Sequence, residues 1–489
     1  MPSAADLLIL LPTVALAFGA CVLLLSEAFL ECRNRGYQAA VAAGAAGLAL
    51  SLALLQIAEP VTLSNDSLFR TVVQPDLFQS FIVATVSGGL LLSVLLSKGF
   101  LRARDAERGE YYALLLFAAS GMTLLAMAAD LVLVFIALEI MSLATYALSA
   151  WLRRDKRATE AALKYFLLGA FSSALYLYGV ALAYGATGST QLAELPKATL
   201  NPWIGGPAIA LISVGFAFKV AAVPFHMWAP DVYEGAPTPV TAFMAVGVKA
   251  AAFAAFFRTI AVAFGGAPQH WGPVVEALAI LSMIVGNLLA LPQQNVKRML
   301  AYSSIAHAGY ALVGLSSASV YAGRVAGAEG LLFYLAAYTV AAVGAFGIAA
   351  VIERNELDAE KAWDLERFAG LAQRRPVLAL FMAVFLLSLA GIPATAGFMG
   401  KLLVFRAGLD AGQLALVIVG VVTSAIAAYY YLRVIVSMYF HAPPGETEDL
   451  DRSAATSWGL GLACAAVVVL GIGPGTVMEI ARRGAELLF

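Results

Sequence analysis

An all-α, polytopic membrane protein with about fourteen transmembrane helices is the fold class this sequence predicts. Hydrophobic residues make up 61% of the 489 and charged residues only 12%, against roughly 25% in an ordinary soluble domain. Apolar runs of the ~20 residues that cross ~30 Å of hydrocarbon recur from end to end, and no stretch is polar enough for a separate soluble domain. Basic residues also fall in alternate loops: Arg33 and Arg35, Lys98 to Arg108, Arg153 to Arg157, Lys297 and Arg298, Arg354 to Arg375, and Arg452. That places about eighteen on one side against about six on the other, and the basic side is cytoplasmic.

The predicted spans are roughly 5–30, 37–57, 77–97, 111–129, 131–152, 160–187, 205–230, 238–264, 272–291, 296–317, 327–352, 376–406, 412–440 and 455–479. The first run lacks the basic flank and cleavage site of a signal peptide, so it is expected to be retained as a helix. An even number of spans then puts both termini on the non-cytoplasmic side, although Arg482 and Arg483 run against the charge rule. The glycines at 471, 473 and 475 close the last span. A net charge of −1 points to no nucleic acid or acidic partner. Cys21, Cys32 and Cys464 form no metal, iron–sulfur or disulfide pattern, and no phosphate-binding loop is present, so redox or phosphoryl chemistry on this chain is not expected.

Ionisable groups inside the spans carry the chemical signal, because each costs at least ~2.5–3.5 kcal/mol at the bilayer centre unless paired or hydrated. Glu139, nine residues past Asp130, lies roughly 13 Å into the membrane. Lys219 and Lys249 lie roughly 18–21 Å deep, too far from either surface for easy snorkelling. Lys401, five residues before Arg406, sits nearer the non-cytoplasmic end. Lys164 is one or two turns from the Arg153 to Arg157 cluster and fits a snorkelling lysine; it joins the candidate set with His307, a core imidazole or a relay group, and His226, beside Trp228 at the cytoplasmic mouth. The bland alternatives are a protonated Glu139 bonded to a carbonyl and charges that are structural only. His270 and His441 lie in loops and are assigned no role.

Two spans are predicted to be broken. In "FKVAAVPFHMWAPDVYEGAPTPV" Pro224 removes an amide donor five residues after Lys219, and irregular backbone at membrane depth is tolerated only inside protein or beside a watery cavity. An unbroken helix from Pro376 to Arg406 would be about 46 Å long, and "GIPATAGFMG", with Pro393 and Gly397, interrupts it before Lys401. The breaks fall in the seventh and twelfth spans, five apart, as expected of two inverted five-helix repeats, helices 4–8 and 9–13. The chain then divides into a three-helix segment (1–110), a first repeat (111–264), a second, inverted repeat (265–440) and a C-terminal helix (441–489).

Five motifs, "LEIMSLATYALSAW" from Leu138, "EAALKYFLLGAFSSALYLYG" from Glu160, "PFHMWAPDVYEGAPTPVTAF" from Pro224, "NVKRMLAYSSIAHAGY" from Asn295 and "GIPATAGFMGK" from Gly391, resemble the antiporter-like membrane subunits of respiratory complex I over nearly the whole chain. "PDVYEGAPTPV" and a lysine at 401 resemble the subunit N branch more than the sister subunits M and L. The resemblance implies a proton-translocating, non-redox subunit of NADH:quinone oxidoreductase in the bacterial inner membrane. NAD, FMN, iron–sulfur clusters and quinone would then belong to other subunits, and this chain would hold no cofactor or metal. It implies that Glu139 pairs with Lys219, that Lys249 relays and that Lys401 releases. It also implies contacts with the lipid bilayer, subunit M, the small subunit K and the lateral helix of subunit L. A subunit of a cation/proton antiporter of related fold is the alternative, and an inert structural subunit a further one.

Overall fold

The computed structural model of the chain describes residues 4–29, 36–61, 63, 67, 69–197, 202–354, 362–443 and 453–489. Arg33, Arg35, Lys361, Arg452 and Cys32, used in the charge and cysteine arguments, lie outside the described residues. The main helices are α1 (Ala4–Phe29), α2 (Gly36–Ala58), α3 (Leu77–Ala103), α4 (Gly109–Met127), α5 (Leu131–Ser149), α6 (Lys156–Thr187), α7 (Pro202–Lys219), α8 (Trp228–Gly235) and α9 (Thr238–Ala263). They continue with α10 (Pro268–Ala290), α11 (Val296–Ser317), α12 (Arg324–Arg354), α13 (Pro376–Ala390), α14 (Ala396–Asp410), α15 (Leu414–Phe440), α16 (Ala454–Ile472) and α17 (Gly475–Glu486). No strand occurs among the described residues.

Helix starts follow from short polar side chains that satisfy the first amides. Asp76 accepts from Gln79 N at α3, Asp130 from Val132 N at α5, Asp155 from Arg157 N at α6, and Asn295 from Arg298 N at α11. Eleven described helices are long and apolar enough to cross a membrane. The other three predicted spans fall on α11, which is long but carries too many polar groups, and on the pairs α7/α8 and α13/α14, each interrupted where the prolines stand.

The helices sort into an inner and an outer set by burial. The apolar window of α9 is wholly buried and that of α12 is 89% buried, whereas α1, α2, α6 and α16 bury a third or less and turn apolar side chains outward, as lipid or a neighbouring chain requires. α12 packs against α3, α9, α11, α14, α16 and α17. Close crossings use small residues: a Cβ on Gly286 of α10 would stand 2.6 Å from Ala306 N, and one on Gly309 of α11 would stand 2.7 Å from Met283 N.

Two expectations are corrected. The last predicted span runs to 479, but α16 stops at Ile472 because Pro474 cannot continue the ladder; Gly475–Glu486 is a separate helix bearing Glu479, Arg482, Arg483 and Glu486. Lys297 and Arg354, counted among the loop cations, are 0% and 7% exposed, because α11 and α12 carry them into the packed end of the bundle. Glu139 and Lys219, the expected switching pair, each bond a hydroxyl here, as described next.

Candidate functional site

The first break begins directly after Lys219. Residues 220–227 leave the helix, with Ala221 in the left-handed region at φ 58°, before α8 starts at Trp228. The interruption is tied down by Val223 N donating to Ser282 Oγ (2.9 Å) and Trp228 Nε1 donating to Phe218 O (3.0 Å). Lys219 is 2% exposed, and its Nζ donates to Ser142 Oγ (2.7 Å) and Tyr146 OH (3.3 Å) on α5. Ser142 and Tyr146 follow Glu139 by three and seven residues, so all three share one helix face. Glu139 itself is only partly buried and accepts from Ser173 Oγ of α6 at 2.5 Å. The two are therefore not directly bonded: the amine binds hydroxyls one and two turns along α5 from the carboxylate.

Lys249 lies inside α9, directly after a π-helical segment, Met244–Val248, and is enclosed by protein. Its Nζ donates to both the carbonyl and the hydroxyl of Ser304 on α11. The adjacent Ser303 bonds Tyr431 OH, which lies 3.1 Å from His307 Nε2, while His307 Nδ1 lies 2.6 Å from Tyr334 OH. Polar groups thus run unbroken from Ser303 through Tyr431 and His307 to Tyr334. Beyond them a cavity of about 10 Å³, the room of one water, is lined by His307, Tyr334, Ser388 and Gly397.

At the second break α13 ends at Ala390, Gly391 takes φ 87°, Pro393 and Ala394 (φ 65°) fill the gap, and α14 begins at Ala396. Gly397 N donates to Ser388 Oγ at 3.0 Å across the interruption. Lys401 Nζ donates to the freed Ala390 carbonyl (2.9 Å) and to Ser424 Oγ of α15 (2.6 Å), and stands 4.7 Å from the centre of the Tyr310 ring. A cavity of about 330 Å³ opens beside it between Ile392, Phe398, Phe405 and Ser424. Lys219 thus precedes its break and binds two hydroxyls of α5, whereas Lys401 follows its own and binds the carbonyl freed there.

Lys164 and His226 stand apart from this thread. Lys164, 43% exposed, pairs with Glu160 (2.7 Å) and Asp231 (2.9 Å) in a network that Arg298 extends to Asp231 (3.0 Å) and Glu234 (2.7 Å). His226 lies in the first break with its Nδ1 buried and without a partner.

Two buried ion pairs belong to the same core and were not singled out by sequence reasoning. Arg258 of α9, 1% exposed, holds Asp76 through two bonds of 2.7 and 3.0 Å, and Lys297 lies 3.8 Å from Glu353. An arginine inside a predicted span was signal enough for the first; Lys297 looked like a loop residue. The serines and tyrosines gave no signal, since such residues are ordinary in helices. Among the described residues, no group of three or more His, Cys, Asp or Glu could hold a metal ion.

Residues 128–427, more than half of the chain and including both breaks, match the family described as "NADH:quinone oxidoreductase/Mrp antiporter, TM". The chain is 52% identical to NADH-quinone oxidoreductase subunit N of Myxococcus xanthus (strain DK1622), over 99% of this chain and 98% of that one. It superposes on a chain of respiratory complex I from Thermus thermophilus with a TM-score of 0.79 and 36% identity, covering 96% of this chain and 98% of the other. A chain of the Mrp complex from Dietzia sp. DQ12-45-1b gives a TM-score of 0.85 over 98% of this chain and 97% of that one; at 22% identity it speaks to the fold alone. The membrane fold, the interrupted helices and full-length similarity agree: the chain belongs to the NADH-quinone oxidoreductase subunit N family.

Proposed function

We propose that this chain is the proton-translocating, non-redox subunit of a membrane-bound NADH:quinone oxidoreductase, and that Glu139, Lys219, Lys249, His307 and Lys401 carry the proton. The observation that bears most weight is the bonded thread of Ser303, Tyr431, His307 and Tyr334, which begins one residue from Ser304, the partner of Lys249, and leads toward the break beside Lys401. Buried polar groups are expensive in a membrane unless bonded to one another, and a bonded chain of hydroxyls and an imidazole is what proton relay requires.

Lys219 acts by changing partner. An ammonium near an ionised carboxylate is compensated; the same ammonium in dry protein with the carboxylate withdrawn is not, and sheds its proton. The Lys219 contacts with Ser142 and Tyr146, with Glu139 turned to Ser173, suit the withdrawn arrangement. A proton released from Lys219 would pass to Lys249, then through His307 to Lys401, whose cavity leads outward. Lys164 and His226 would serve the cytoplasmic end. The irregular backbone at Pro224, Pro393 and Gly397 would admit the water that joins these groups.

The reading extends to organisation: a three-helix segment to residue 110, inverted repeats over 111–264 and 265–440, a C-terminal helix, and an N-terminus on the non-cytoplasmic side of the bacterial inner membrane. Flavin, iron–sulfur and quinone chemistry would reside on other subunits, with subunits M and K and the lateral helix of subunit L as neighbours. Driven by that chemistry, the complex in vesicles should take up protons on quinone reduction, and Lys249→Met should stop this uptake. Sustained uphill transport by this chain reconstituted alone would instead make it a self-sufficient transporter.

A further inference from the structure

Half-helix α8 is the element that touches both lysine sites. Its first residue, Trp228, bonds the carbonyl of Phe218, beside Lys219, and the half-helix packs against α11, whose Ser304 receives Lys249. Eight residues long and preceded by irregular chain, α8 cannot hold a fixed angle through its own ladder. Its position must be set from outside.

The N-terminal turn of α11 does so from two sides. Arg298 bonds Asp231 (3.0 Å) and Glu234 (2.7 Å) on the outer face of α8, and Asn295 Nδ2 adds a bond to Glu234 (3.1 Å). Lys297, 0% exposed, donates to Ala236 O (2.7 Å), the carbonyl that closes α8 before Pro237. A cation there meets the negative end of the half-helix. Its amine also lies 4.4 Å from the centre of the Trp363 ring and 3.8 Å from Glu353. Glu353, 3% exposed, accepts from the hydroxyl of Thr238, the first residue of α9, and lies within 4.0 Å of Arg104. The end of α8, the start of α9, the start of α11 and the end of α12 therefore meet at one buried ion pair.

Such a pair is poor value as a stabiliser, because apolar residues of similar volume hold a core as well, so its retention points to placement. Seven residues separate Lys297 from Ser304, two turns along the same face of α11, so the residue that fixes α8 and the residue that receives Lys249 share one rigid rod.

We propose that Lys297 is a positioning residue for proton transfer: with Arg298 it clamps α8 to α11, so that a change at the Lys219 break is felt at the Lys249–Ser304 contact. This rests on the proton pathway proposed above. Lys297 does not itself pass the proton; it is bound to a carbonyl, an aromatic face and a carboxylate, away from the thread.

The test uses the whole complex in vesicles and reads protons taken up per quinone reduced, at matched assembly. Lys297→Met/Glu353→Gln removes both charges of the pair, and Arg104, a quarter exposed, keeps its bond to the Glu353 carbonyl, so the complex should assemble while the ratio falls roughly two- to thirtyfold, the range for substitutions that alter coupling from a distance. Lys297→Arg keeps the cation and its donors and should retain most of the ratio. Arg298→Gln, on the half-buried side of the clamp, should lower it less. A wild-type ratio in the double variant overturns the proposal, as does a wild-type ratio in Arg298→Gln should the double variant fail to assemble. Loss of pumping in an assembled Lys297→Arg complex also overturns it, since a guanidinium that positions but cannot pass a proton would then have failed. Lys219→Met serves as control: normal pumping there would sink the pathway itself, whereas dead Lys219→Met beside a normal double variant sinks only the clamp.

Discussion

Gly397→Ala tests whether the second break must keep its shape. An alanine Cβ at this position would stand 1.9 Å from Ser388 O and 2.7 Å from Ser388 C, both backbone atoms of the opposing half-helix. To reach the 3.0 Å that real Cβ contacts keep, α13 and α14 must part by about 1.1 Å. Ser388 and Gly397 also wall the cavity of about 10 Å³ beside His307, so the same shift changes its volume. Overpacking of this kind costs ~1–3 kcal/mol, within what a large membrane subunit tolerates. Function is less forgiving, since a ~1 Å misplacement at a reacting site can cost roughly a hundredfold in rate. Vesicles carrying the assembled complex, driven by quinone reduction and monitored for proton uptake, should show uptake reduced at least tenfold in Gly397→Ala, within that bound. Gly461→Ala, where nothing lies within 4 Å of the added methyl, should behave as wild type. Normal uptake in Gly397→Ala would refute the claim that the break and its cavity conduct.

Asp76→Asn keeps the cap of α3 but leaves Arg258 buried without its counter-charge, so denaturant unfolding of the purified subunit should reveal a loss of ~3–5 kcal/mol, most of it recovered in Asp76→Asn/Arg258→Met; a loss below ~1 kcal/mol would contradict the pair's assignment as buried. Lys164→Met removes two partly exposed ion pairs, each worth ~0.2–1 kcal/mol, and should leave assembly intact and lower proton uptake less than Lys249→Met does; an uptake as low as that of Lys249→Met would place Lys164 on the main route. Pro224→Ala and Pro393→Ala should each lower uptake in complexes that still assemble, because the proposed route uses the irregular backbone of the breaks; unchanged uptake in both would remove that argument.

Span positions were legible because burial in lipid imposes length and apolarity on each helix. So were the breaks: Pro224 inside an apolar run and 31 residues from Pro376 to Arg406 leave no other arrangement. Lys219, Lys249 and Lys401 were visible as charges where charges are costly, and all three prove buried at 5% exposure or less. What they touch was not visible. Ser142, Tyr146, Ser304 and Ser424 become ligands of amines only through helix rotation and packing, which composition does not encode. The separation of Glu139 from Lys219 has the same origin, since one turn of α5 decides which side chain the amine meets. Lys297 was misread because its sequence neighbours Gln293, Gln294, Asn295 and Arg298 look like a solvated loop, whereas α8 and Trp363 cover it. The π segments of α9 at Met244–Val248 and Arg258–Ala263 also carry no compositional mark.

The most direct test of proton movement through partner exchange at Lys219 is quinone-driven proton uptake by vesicles bearing the assembled complex with Lys219→Met, Glu139→Gln or Lys219→Arg. Lys219→Met and Glu139→Gln are expected to lose uptake sharply, one lacking the proton carrier and the other the charge that loads it. Lys219→Arg is expected to do poorly as well, since a guanidinium with pKa above ~12 keeps the cation but does not release its proton. Wild-type uptake in Lys219→Met and Glu139→Gln at matched assembly would contradict the account and leave both residues as structural filler.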